Sequence, residues 1–552
     1  MQIIIPMSGI GKRFLDAGYT EPKPLIVIDG KPIIEHVVEM FPGESDFIFI
    51  CNSEHLRETP LRSVLERIAP NGRIFEIAPH KKGPVYAVLQ VLGQINPEDE
   101  VIVNYCDFSC MWDYKGFLAD TRSRQASGAV PAYRGFHPHM LGNTNYAFMR
   151  SDDRCMLEIK EKEPFTDNRM EEFASSGTYY FRSGRIVSRY FQELIDLDIN
   201  LTGEYYVSLV YNLLVRDGLK VSIFEIEHML QWGTPQDVAE YRAWSDYFGS
   251  LAYPGPTMVP EKGSVTLIPL AGAGNRFVQE GYPDPKPLIQ VSGKPMIVQA
   301  AASLPEGEQA HFVCLGSHLD EYPLQAVILR AYPDATITRV DQVTQGQACT
   351  CELAMKAIPP ENPLLIGACD NSMIWDDSAY DELRSDPSVD AIAWSFRHHP
   401  SSVRNPKMYG WLAADESGTV HRCSVKVPIS NDPYNDHAIV GTFYFRKARY
   451  FQEALDRLYA GNIRVNGEFY VDSCINELIA LGYNVKVFEV DHYVCWGTPD
   501  DLRTFEYWQR FFHKWPGHPY RIETDRMVAK DSVPRIESLM EHWTNGHNPK
   551  GN

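Results

Sequence analysis

Basic residues are scarce in this chain relative to acidic ones. Its 552 residues include 52 Lys and Arg against 72 Asp and Glu, a formal net charge of −20 at pH 7. Sequence-independent binding of DNA or RNA needs basic stripes that meet the phosphates. Docking on an anionic membrane needs basic clusters of the same kind. The charge balance therefore argues against nucleic acid and against a membrane surface as partners.

Long apolar runs are also missing. No window approaches the roughly 18 uninterrupted apolar residues of a membrane span. The apolar run in the opening MQIIIPMSGIGKRF is far too short for a signal peptide. The 11 cysteines form no CxxC pair, and most lie in apolar runs, as small buried thiols do in a reducing compartment. We therefore expect a cytoplasmic protein.

The chain does contain a long internal repeat. Residues 5–34 and 268–297 align without a gap and share 17 identities in 30 positions. The register persists, with a single one-residue insertion, to the WGTP segments at 232–235 and 496–499. A period this long excludes a solenoid and predicts two copies of a complete domain. We predict a first domain over 1–250, a linker over 251–263, a second domain over 264–514 and a C-terminal tail over 515–552.

Within each copy, short apolar runs alternate with segments of helical periodicity. In the first copy the predicted strands are residues 3–6, 47–51, 74–77 and 101–105, and the predicted helices are residues 32–41, 54–68 and 84–92. This alternation predicts an α/β fold in which a mostly parallel sheet has helices on both faces. Such sheets bind ligands at the carboxyl ends of their strands, so the loops there are the candidate sites.

The loop after the first predicted strand has the pattern GxGxRF. Gly9 and Gly11 let backbone N–H groups approach a phosphate closely, and Arg13 offers a guanidinium suited to a polyphosphate. The loop is not a dinucleotide fingerprint, because Phe14 replaces the third glycine, and no Gly-Lys-Ser/Thr of a Walker A loop follows. A plain tight turn is the alternative. The pattern recurs in the second copy as Gly272, Gly274, Arg276 and Phe277, which favours anion binding.

Two further positions carry charge at repeated places. Lys23 and Lys286 each stand between two prolines, which fix the backbone and could present the ammonium group to a phosphate. Asp107 and Asp370 each follow an apolar run that reads as a buried strand. A carboxylate there is costly unless it binds donors or a cation such as Mg²⁺. The alternatives are a surface lysine and a helix N-cap.

The ordered set of GxGxRF, PKPL, a glycine loop, a strand-end Asp, EK, GE and WGTP resembles the sugar-phosphate nucleotidyltransferase family. The resemblance covers residues 1–245 and 264–510. It implies two tandem Rossmann-like domains and a Mg²⁺-dependent attack of a phosphate oxygen on the α-phosphorus of an NTP, with release of pyrophosphate. The family includes thymidylyltransferases, guanylyltransferases and the cytidylyltransferases of capsule pathways. It thus implies an enzyme that makes nucleotide-activated precursors of surface polysaccharide.

The resemblance also assigns roles to residues of the first copy. Gly9, Gly11 and Arg13 would hold the NTP phosphates, Lys23 would stabilise the departing pyrophosphate, Gly83 would border the base, and Asp107 would bind Mg²⁺. Lys162 would meet the acceptor phosphate, and Glu161, Gly177 and Glu204 would shape the acceptor pocket. The corresponding residues of the second copy are Gly272, Gly274, Arg276, Lys286, Gly346, Asp370, Lys426, Gly441 and Glu468. The arginines and lysines in these two sets are the predicted catalytic residues.

The two copies depart from the family pattern in different ways. Where the family often has a second metal-binding aspartate, this chain has Gln231 and Cys495, and Val425 replaces the glutamate of EK in the second copy. The base loops also differ, with HKKGP at 80–84 against VTQGQ at 343–347. We therefore predict two sites that differ in acceptor or in base. The base, the acceptor and the oligomeric state stay open, a homo-oligomer included.

Three other interpretations were weighed against this one. One copy could have lost catalysis and serve as a nucleotide-sensing or scaffolding domain, although both copies keep the charged residues. An NAD(P)-binding protein is excluded, because Phe14 replaces the third glycine of the dinucleotide fingerprint and the acidic residue expected further along the chain is missing. Four histidines invite a metal-site reading, but no cysteine or carboxylate completes one. These are His137, His139, His398 and His399.

Overall fold

A computed structural model describes residues 1–253 and 258–542. Most of the chain forms two compact units, Met1–Arg242 and Ala243–Met540. The boundary falls inside a helix, Pro235–Leu251, which runs through the predicted domain end at residue 250. Residues 254–257 of the predicted linker and 543–552 of the predicted tail lie outside the described residues.

The first unit alternates strands and helices along the chain. Its strands are β1 (Gln2–Met7), β2 (Val27–Ile28), β3 (Lys31–Pro32), β4 (Asp46–Asn52), β5 (Arg73–Ile77), β6 (Val101–Asn104), β7 (Phe108–Met111), β8 (Gly128–Tyr133), β9 (Ala147–Asp152), β10 (Cys155–Glu161), β11 (Phe173–Ser175), β12 (Thr178–Phe181), β13 (Val221–Glu225) and β14 (His228–Gln231). Its helices are α1 (Lys12–Asp16), α2 (Ile33–Glu39), α3 (Ser53–Glu58), α4 (Leu61–Ile68), α5 (Gly83–Leu89), α6 (Tyr114–Ser123), α7 (Gly184–Asp196), α8 (Val207–Arg216) and α9 (Pro235–Leu251).

The main sheet of this unit has ten strands in the order β11-β9-β10-β13-β8-β12-β6-β1-β4-β5. The four strands β6, β1, β4 and β5 are parallel, as the continuous apolar runs predict. Strand β12 then enters antiparallel between β6 and β8, and β9, β10 and β11 also pair antiparallel. The sheet is therefore mixed, and the prediction of a mostly parallel sheet is wrong.

The local predictions for the first copy are confirmed for the four strands, with two differences. The predicted helix at 54–68 is two helices, α3 and α4, because Pro60 cannot continue the hydrogen-bond ladder of a helix. Strand β5 was expected to be buried on both faces, but it lies at the edge of the sheet and is only half-buried. An apolar run alone does not distinguish an edge strand from a central one.

The second unit has a similar succession of elements. Its strands are β15 (Val265–Leu270), β16 (Gln290–Val291), β17 (Lys294–Pro295), β18 (Gln309–Leu315), β19 (Thr336–Val340), β20 (Leu364–Ile366), β21 (Asn371–Ile374), β22 (Ala391–Phe396), β23 (Gly410–Ala414), β24 (Val420–Val425), β25 (His437–Phe445), β26 (Val485–Glu489) and β27 (His492–Cys495). Its helices are α10 (Asn275–Gln279), α11 (Met296–Ala302), α12 (Gly316–Glu321), α13 (Leu324–Ala331), α14 (Gln347–Met355), α15 (Asp377–Ser385), α16 (Pro400–Arg404), α17 (Ala448–Ala460), α18 (Val471–Ala480), α19 (Pro499–Lys514) and α20 (Val533–His542).

The sheet of the second unit runs β19-β18-β15-β20-β25-β22-β26, with β23 and β24 attached to β25. This is the order of β5-β4-β1-β6-β12-β8-β13 in the first unit, strand for strand. It is mixed in the same way, since β25 pairs antiparallel with both β20 and β22. The repeat seen in the sequence is thus matched by a repeated strand order.

The segment after α19 packs into the second unit. Tyr520 and Ile522 are fully buried, and the Tyr520 hydroxyl donates to Asp525 at 2.7 Å. The Gln299 side chain donates to the backbone oxygen of Met527 at 2.8 Å. The described part of the predicted tail therefore adds to the core of this unit, which its lack of a counterpart in the repeat did not reveal.

The cysteines and the helices of residues 1–253 and 258–542 bear on the expectations from composition. All 11 cysteines lie in described segments and are free thiols, most of them buried. No helix in those segments combines the length and the apolar character that crossing a membrane requires.

Candidate active site

The predicted phosphate loop joins β1 to α1 at the carboxyl end of the central strand. Gly11 precedes the helix with φ 71°, a left-handed conformation that favours glycine, and Gly274 repeats it with φ 63°. The side chains of Arg13 and Arg276 are exposed. The loop therefore leaves a backbone turn and one arginine open to a ligand in each unit.

The two predicted charged residues of each copy meet in an ion pair. Lys23 Nζ donates to Asp107 Oδ2 at 2.8 Å, and Lys286 Nζ donates to Asp370 Oδ2 in the same way. Burial alone would lower the pKa of each lysine, but the facing carboxylate raises it above its ordinary value. Both lysines therefore stay cationic at neutral pH.

The WGTP segment closes one side of this ion pair. The backbone N–H of Trp232 donates to the Asp107 backbone oxygen at 2.9 Å, and a Cβ at Gly233 would lie 3.3 Å from Asp107 Oδ2. In the second unit Trp496 and Gly497 stand in the same relation to Asp370, at 2.7 and 3.2 Å. A glycine at this place leaves room beside the carboxylate, which explains why it is repeated.

The predicted acceptor residues of the first unit form a second charged group. Lys162 Nζ donates to the Tyr206 hydroxyl at 2.6 Å, and that hydroxyl donates to Glu204. Ser208 Oγ donates to Glu161 Oε2 at 2.5 Å. Burial raises the pKa of Glu161, and the Ser208 hydrogen bond and Lys162 oppose that shift. Lys162 thus lies close to a carboxylate whose ionised form is disfavoured by burial.

A cavity of about 430 Å³ joins the two groups in the first unit. Its lining includes most of the residues predicted from the sequence of this copy: Gly11, Arg13, Lys23, Asp107, Glu161, Lys162, Gly177 and Glu204. Gly9 and Gly83 do not line it. The phosphate loop, the ion pair and the acceptor residues therefore face one space.

Gly83 packs against the segment that carries the acceptor residues. It has φ 83°, and a Cβ there would lie 2.7 Å from the Tyr205 backbone nitrogen. The Tyr205 N–H donates to the Lys82 oxygen at 3.0 Å, and the Val85 N–H donates to the Tyr205 oxygen at 3.1 Å. The base loop and the acceptor segment are thus joined through their backbones, and Gly346 makes the same close approach to Phe469.

Comparison with known proteins bears on the first unit. The family described as the MobA-like NTP transferase domain matches residues 3–162. Curated glucose-1-phosphate cytidylyltransferases of Salmonella typhimurium and Salmonella typhi are 38% identical over 53 residues, which is 9% of this chain. The chain spans only about a fifth of the length of these relatives, 21%. The N-terminal part of the chain carries an NTP transferase domain.

Solved structures give a wider comparison. A nucleoside-diphosphate-sugar pyrophosphorylase from Vibrio cholerae is 21% identical, with a TM-score of 0.37 over 43% of this chain and 98% of that one. An inositol-1-phosphate CTP transferase from T. maritima is 15% identical, with a TM-score of 0.33 over 43% of this chain and 90% of that one.

In the first unit, beyond the matched residues 3–162, Gln231 occupies the position where the sequence lacks an expected aspartate. Gln231 lines the cavity, and its Nε2 donates to Asp237 at 2.7 Å. Its Oε1 is buried and has no hydrogen-bond partner among the residues that the structure describes. In the second unit Cys495 takes this place, and its Sγ donates weakly to Asp501 at 3.7 Å.

The second unit arranges its other predicted residues around different neighbours. Lys426 Nζ donates to the Met408 oxygen at 3.0 Å and lies 5.6 Å from the centre of the Tyr470 ring. Lys426 has φ 63°, close to the 60° of Lys162, so both lysines share an uncommon backbone conformation. Gly441 lies within β25, and burial together with the Glu468 carboxylate raises the pKa of Tyr470 to about 12.

Several residues of the candidate site were missed in the sequence. Tyr206 could have been found, because GExY recurs in the second copy with Tyr470. Ser8 Oγ lies 3.0 Å from His80 Nε2 and ties the phosphate loop to the base loop. No repeated pattern marked that pair, since the second copy has Ala271 at the place of Ser8.

The four histidines contact aromatic rings and polar side chains. His139 Nε2 lies 3.0 Å from the Tyr133 hydroxyl, and the His137 ring packs against the same tyrosine. His398 pairs with Asn435, and burial lowers the pKa of His399 to about 4.

Proposed function

We propose that each unit transfers the NMP group of an NTP to a phosphorylated small molecule and releases pyrophosphate, as a step toward nucleotide-activated precursors of surface polysaccharide. The observation that carries the proposal is the Lys–Asp ion pair at the carboxyl end of the central strands, present in both units. In the first unit it shares a cavity with Lys162. The match of residues 3–162 to an NTP transferase family supports an NTP as the substrate. The free thiols throughout the described segments favour a reducing compartment, the cytoplasm.

In the proposed reaction an oxygen of the acceptor phosphate attacks the α-phosphorus of the NTP. The bond from that phosphorus to the bridging oxygen breaks, and the electron pair leaves with pyrophosphate. No general base is needed, because the attacking phosphate is already ionised. Lys23 and Arg13 neutralise the triphosphate, Lys162 holds the acceptor phosphate, and catalysis consists of positioning and charge stabilisation. Gly83 and Gly346 keep their assignment beside the base.

A divalent cation fits the residues of the first unit. Asp107 offers a carboxylate, and Gln231 offers the buried Oε1 that lacks a partner within the described segments. Both are hard oxygen ligands of the kind that Mg²⁺ prefers. When bound, the ion neutralises charge on the phosphates. In the second unit Asp370 would hold it, while Cys495 offers a soft thiol that Mg²⁺ does not favour.

A second candidate function follows from that difference. Without an oxygen ligand at Cys495, the second unit could bind a nucleotide and regulate or support the first rather than turn over. Against this, Lys286, Asp370 and Lys426 are all kept. The local similarity to glucose-1-phosphate cytidylyltransferases makes sugar 1-phosphates the first acceptors to test, with phosphocholine and an amide-bearing phosphate next.

The test is a screen of pyrophosphate release by the full chain with four NTPs and a panel of these acceptors. Asp107→Asn and Asp370→Asn are screened alongside the parent protein. We expect each variant to lose a different part of the substrate profile. Release of pyrophosphate at the parent rate by the double variant, or none by the parent with any pair, would overturn the proposal. Nucleotide binding without turnover in the Asp107→Asn chain would favour the second candidate.

A further inference from the structure

In the second copy, Val425 stands where the first copy has the carboxylate of Glu161. A different structural element supplies a carboxylate in its place. In the first unit Glu161 ends β10 and accepts a hydrogen bond from Ser208, in the first turn of α8. In the second unit β24 ends at Val425, and the position of Ser208 in α18 is taken by Asp472. The strand has lost a carboxylate and the facing helix has gained one.

A third change makes room for the relocated carboxylate. Ala147 pairs with Glu161 in the first unit, and Gly410 pairs with Val425 in the second. A Cβ at Gly410 would overlap the Asp472 carboxylate. The alanine of the first unit could therefore not coexist with Asp472 as it is placed here. The three substitutions form one compensated set.

Asp472 also lacks the partner that Glu161 has. No side chain among the described residues donates a hydrogen bond to its carboxylate, whereas Ser208 donates one to Glu161. Burial raises the pKa of Asp472 to about 6, and the backbone N–H and Lys426 oppose that shift. Asp472 is half-buried, and a partly buried carboxylate that no side chain serves as a donor has lost part of its solvation in the folded protein. That loss is offset when a ligand supplies the donor.

We propose that Asp472 recognises the acceptor in the second site, by accepting a hydrogen bond from a hydroxyl or amine group of the molecule whose phosphate Lys426 holds. The inference rests on the proposed function of the second unit. The Asp472 carboxylate comes from the helix instead of the strand and is one methylene shorter than that of Glu161. The recognised group therefore lies elsewhere relative to the phosphate, and the two sites take acceptors that carry their hydrogen-bond donors at different positions.

The first experiment isolates the second site in the full chain by Asp107→Asn. The probe is the acceptor in the panel that gives the fastest pyrophosphate release with this chain. Asp472→Asn keeps the shape of the side chain, and Asp472→Ser copies the first unit. We expect each to raise the acceptor KM about tenfold or more, with a smaller change in kcat and no change in NTP affinity measured by calorimetry. Glu382→Gln, which removes an exposed carboxylate of the same unit, is the matched control.

The second experiment tests whether the three positions act as one set. Gly410→Ala should raise the acceptor KM when Asp472 is present and have a smaller effect when Asp472→Ser is present, because only the close approach to Ile439 Cδ1, at 2.8 Å, then remains. This non-additivity is what a direct contact produces. The combination of Val425→Glu, Gly410→Ala and Asp472→Ser should shift the preference of the second site at least tenfold toward the acceptor of the first.

The outcomes separate the two proposals. If the Asp107→Asn chain releases no pyrophosphate with any pair of substrates, the function proposed for the second unit falls, and the inference falls with it. If that chain turns over but both Asp472 variants keep the parent acceptor KM, only the inference is overturned. Additive effects of Gly410→Ala and Asp472→Ser would likewise contradict it.

Discussion

The two units keep the same charges at the edge of the sheet and change the side chains that surround them. The ion pairs of Lys23 with Asp107 and of Lys286 with Asp370 are alike in partners and in position. By contrast, Gln231 of the first unit corresponds to Cys495 of the second. The first unit has Glu161 and Ser208 at the positions where the second has Val425 and Asp472. The conserved part handles phosphate charge, which is common to every NTP. The variable part lines the space where substrates differ, so divergence is concentrated where specificity is set.

The largest effect is expected from breaking the ion pairs. Asp107→Asn and Asp370→Asn should each lower one activity by about 10²-fold or more, because each removes the charge that positions the lysine and the cation. Pyrophosphate release with two acceptors measures this, and the thermal midpoint is the control for folding. Loss of both activities in either single variant would show that the sites are not independent. Excess chelator should stop both.

The lysines should separate into two kinds. Lys23→Ala should mainly lower kcat, by about 10²-fold, since charge builds beside it as pyrophosphate leaves. Lys162→Ala should mainly raise the acceptor KM, because its interaction with the acceptor phosphate is made in the ground state as well. Steady-state kinetics with saturating NTP measure both. A KM effect alone for Lys23→Ala together with a kcat collapse for Lys162→Ala would reverse the roles. The separation between kcat and acceptor KM should be smaller for Lys426→Ala, because Val425 provides no carboxylate to orient the Lys426 side chain.

The metal sites should differ in affinity. Gln231→Ala should weaken Mg²⁺ binding by the first unit about tenfold, as loss of a supporting ligand does elsewhere. Cys495→Ala should leave the second unit unchanged, and Cys495→Gln should tighten its binding. Titration with Mn²⁺ followed by electron paramagnetic resonance reads this without turnover. Equal affinity in parent and Gln231→Ala chains would remove Gln231 from the site.

The smallest effect concerns stability and pH. The pKa of Asp472 is about 6 in the folded protein, above its ordinary value of 3.8, so the folded state holds the proton more tightly. This group therefore makes the protein less stable as the pH rises from about 4 through 6. Asp472→Asn should gain roughly 1–3 kcal/mol of unfolding free energy over the parent between pH 4.5 and 7.5. Calorimetric unfolding at both pH values measures this, and a pH-independent difference would contradict it. Ser208→Ala, at the matched position, should show a difference of the opposite sign, because it removes the donor that lowers the pKa of Glu161.

The sequence predicted the central strands well and the rest of the sheet poorly. Residues 3–5, 47–51 and 101–104 are buried on both faces, so their apolar runs are continuous and local. The antiparallel entry of β12 depends on which strands meet across the fold, and no local pattern records that choice. The break at Pro60 was visible in the sequence, because proline lacks the N–H that a helix interior needs.

The candidate site divides in the same way. Lys23 and Asp107 could be found because both recur in the second copy at the same spacing. The role of Asp472 could not, since aligning the copies shows a carboxylate lost at Val425 and another gained at Asp472 but not that the two changes are related. The compensation comes from a different element, 47 residues along the chain. Only the folded arrangement, in which Gly410 leaves space for that side chain, relates the two changes.

The backbone contacts at Gly83 and Gly346 limit how the substrate specificity of this protein could be changed. The hydrogen bonds of Tyr205 with Lys82 and Val85 recur as those of Phe469 with Gln345 and Ala348. If only the base loop were exchanged, it would contact an acceptor segment whose backbone fits a different base loop. The practical unit of exchange is therefore the pair of segments, 80–85 with 203–206 or 343–348 with 467–470. Nucleotide choice and acceptor choice are inherited as a single module.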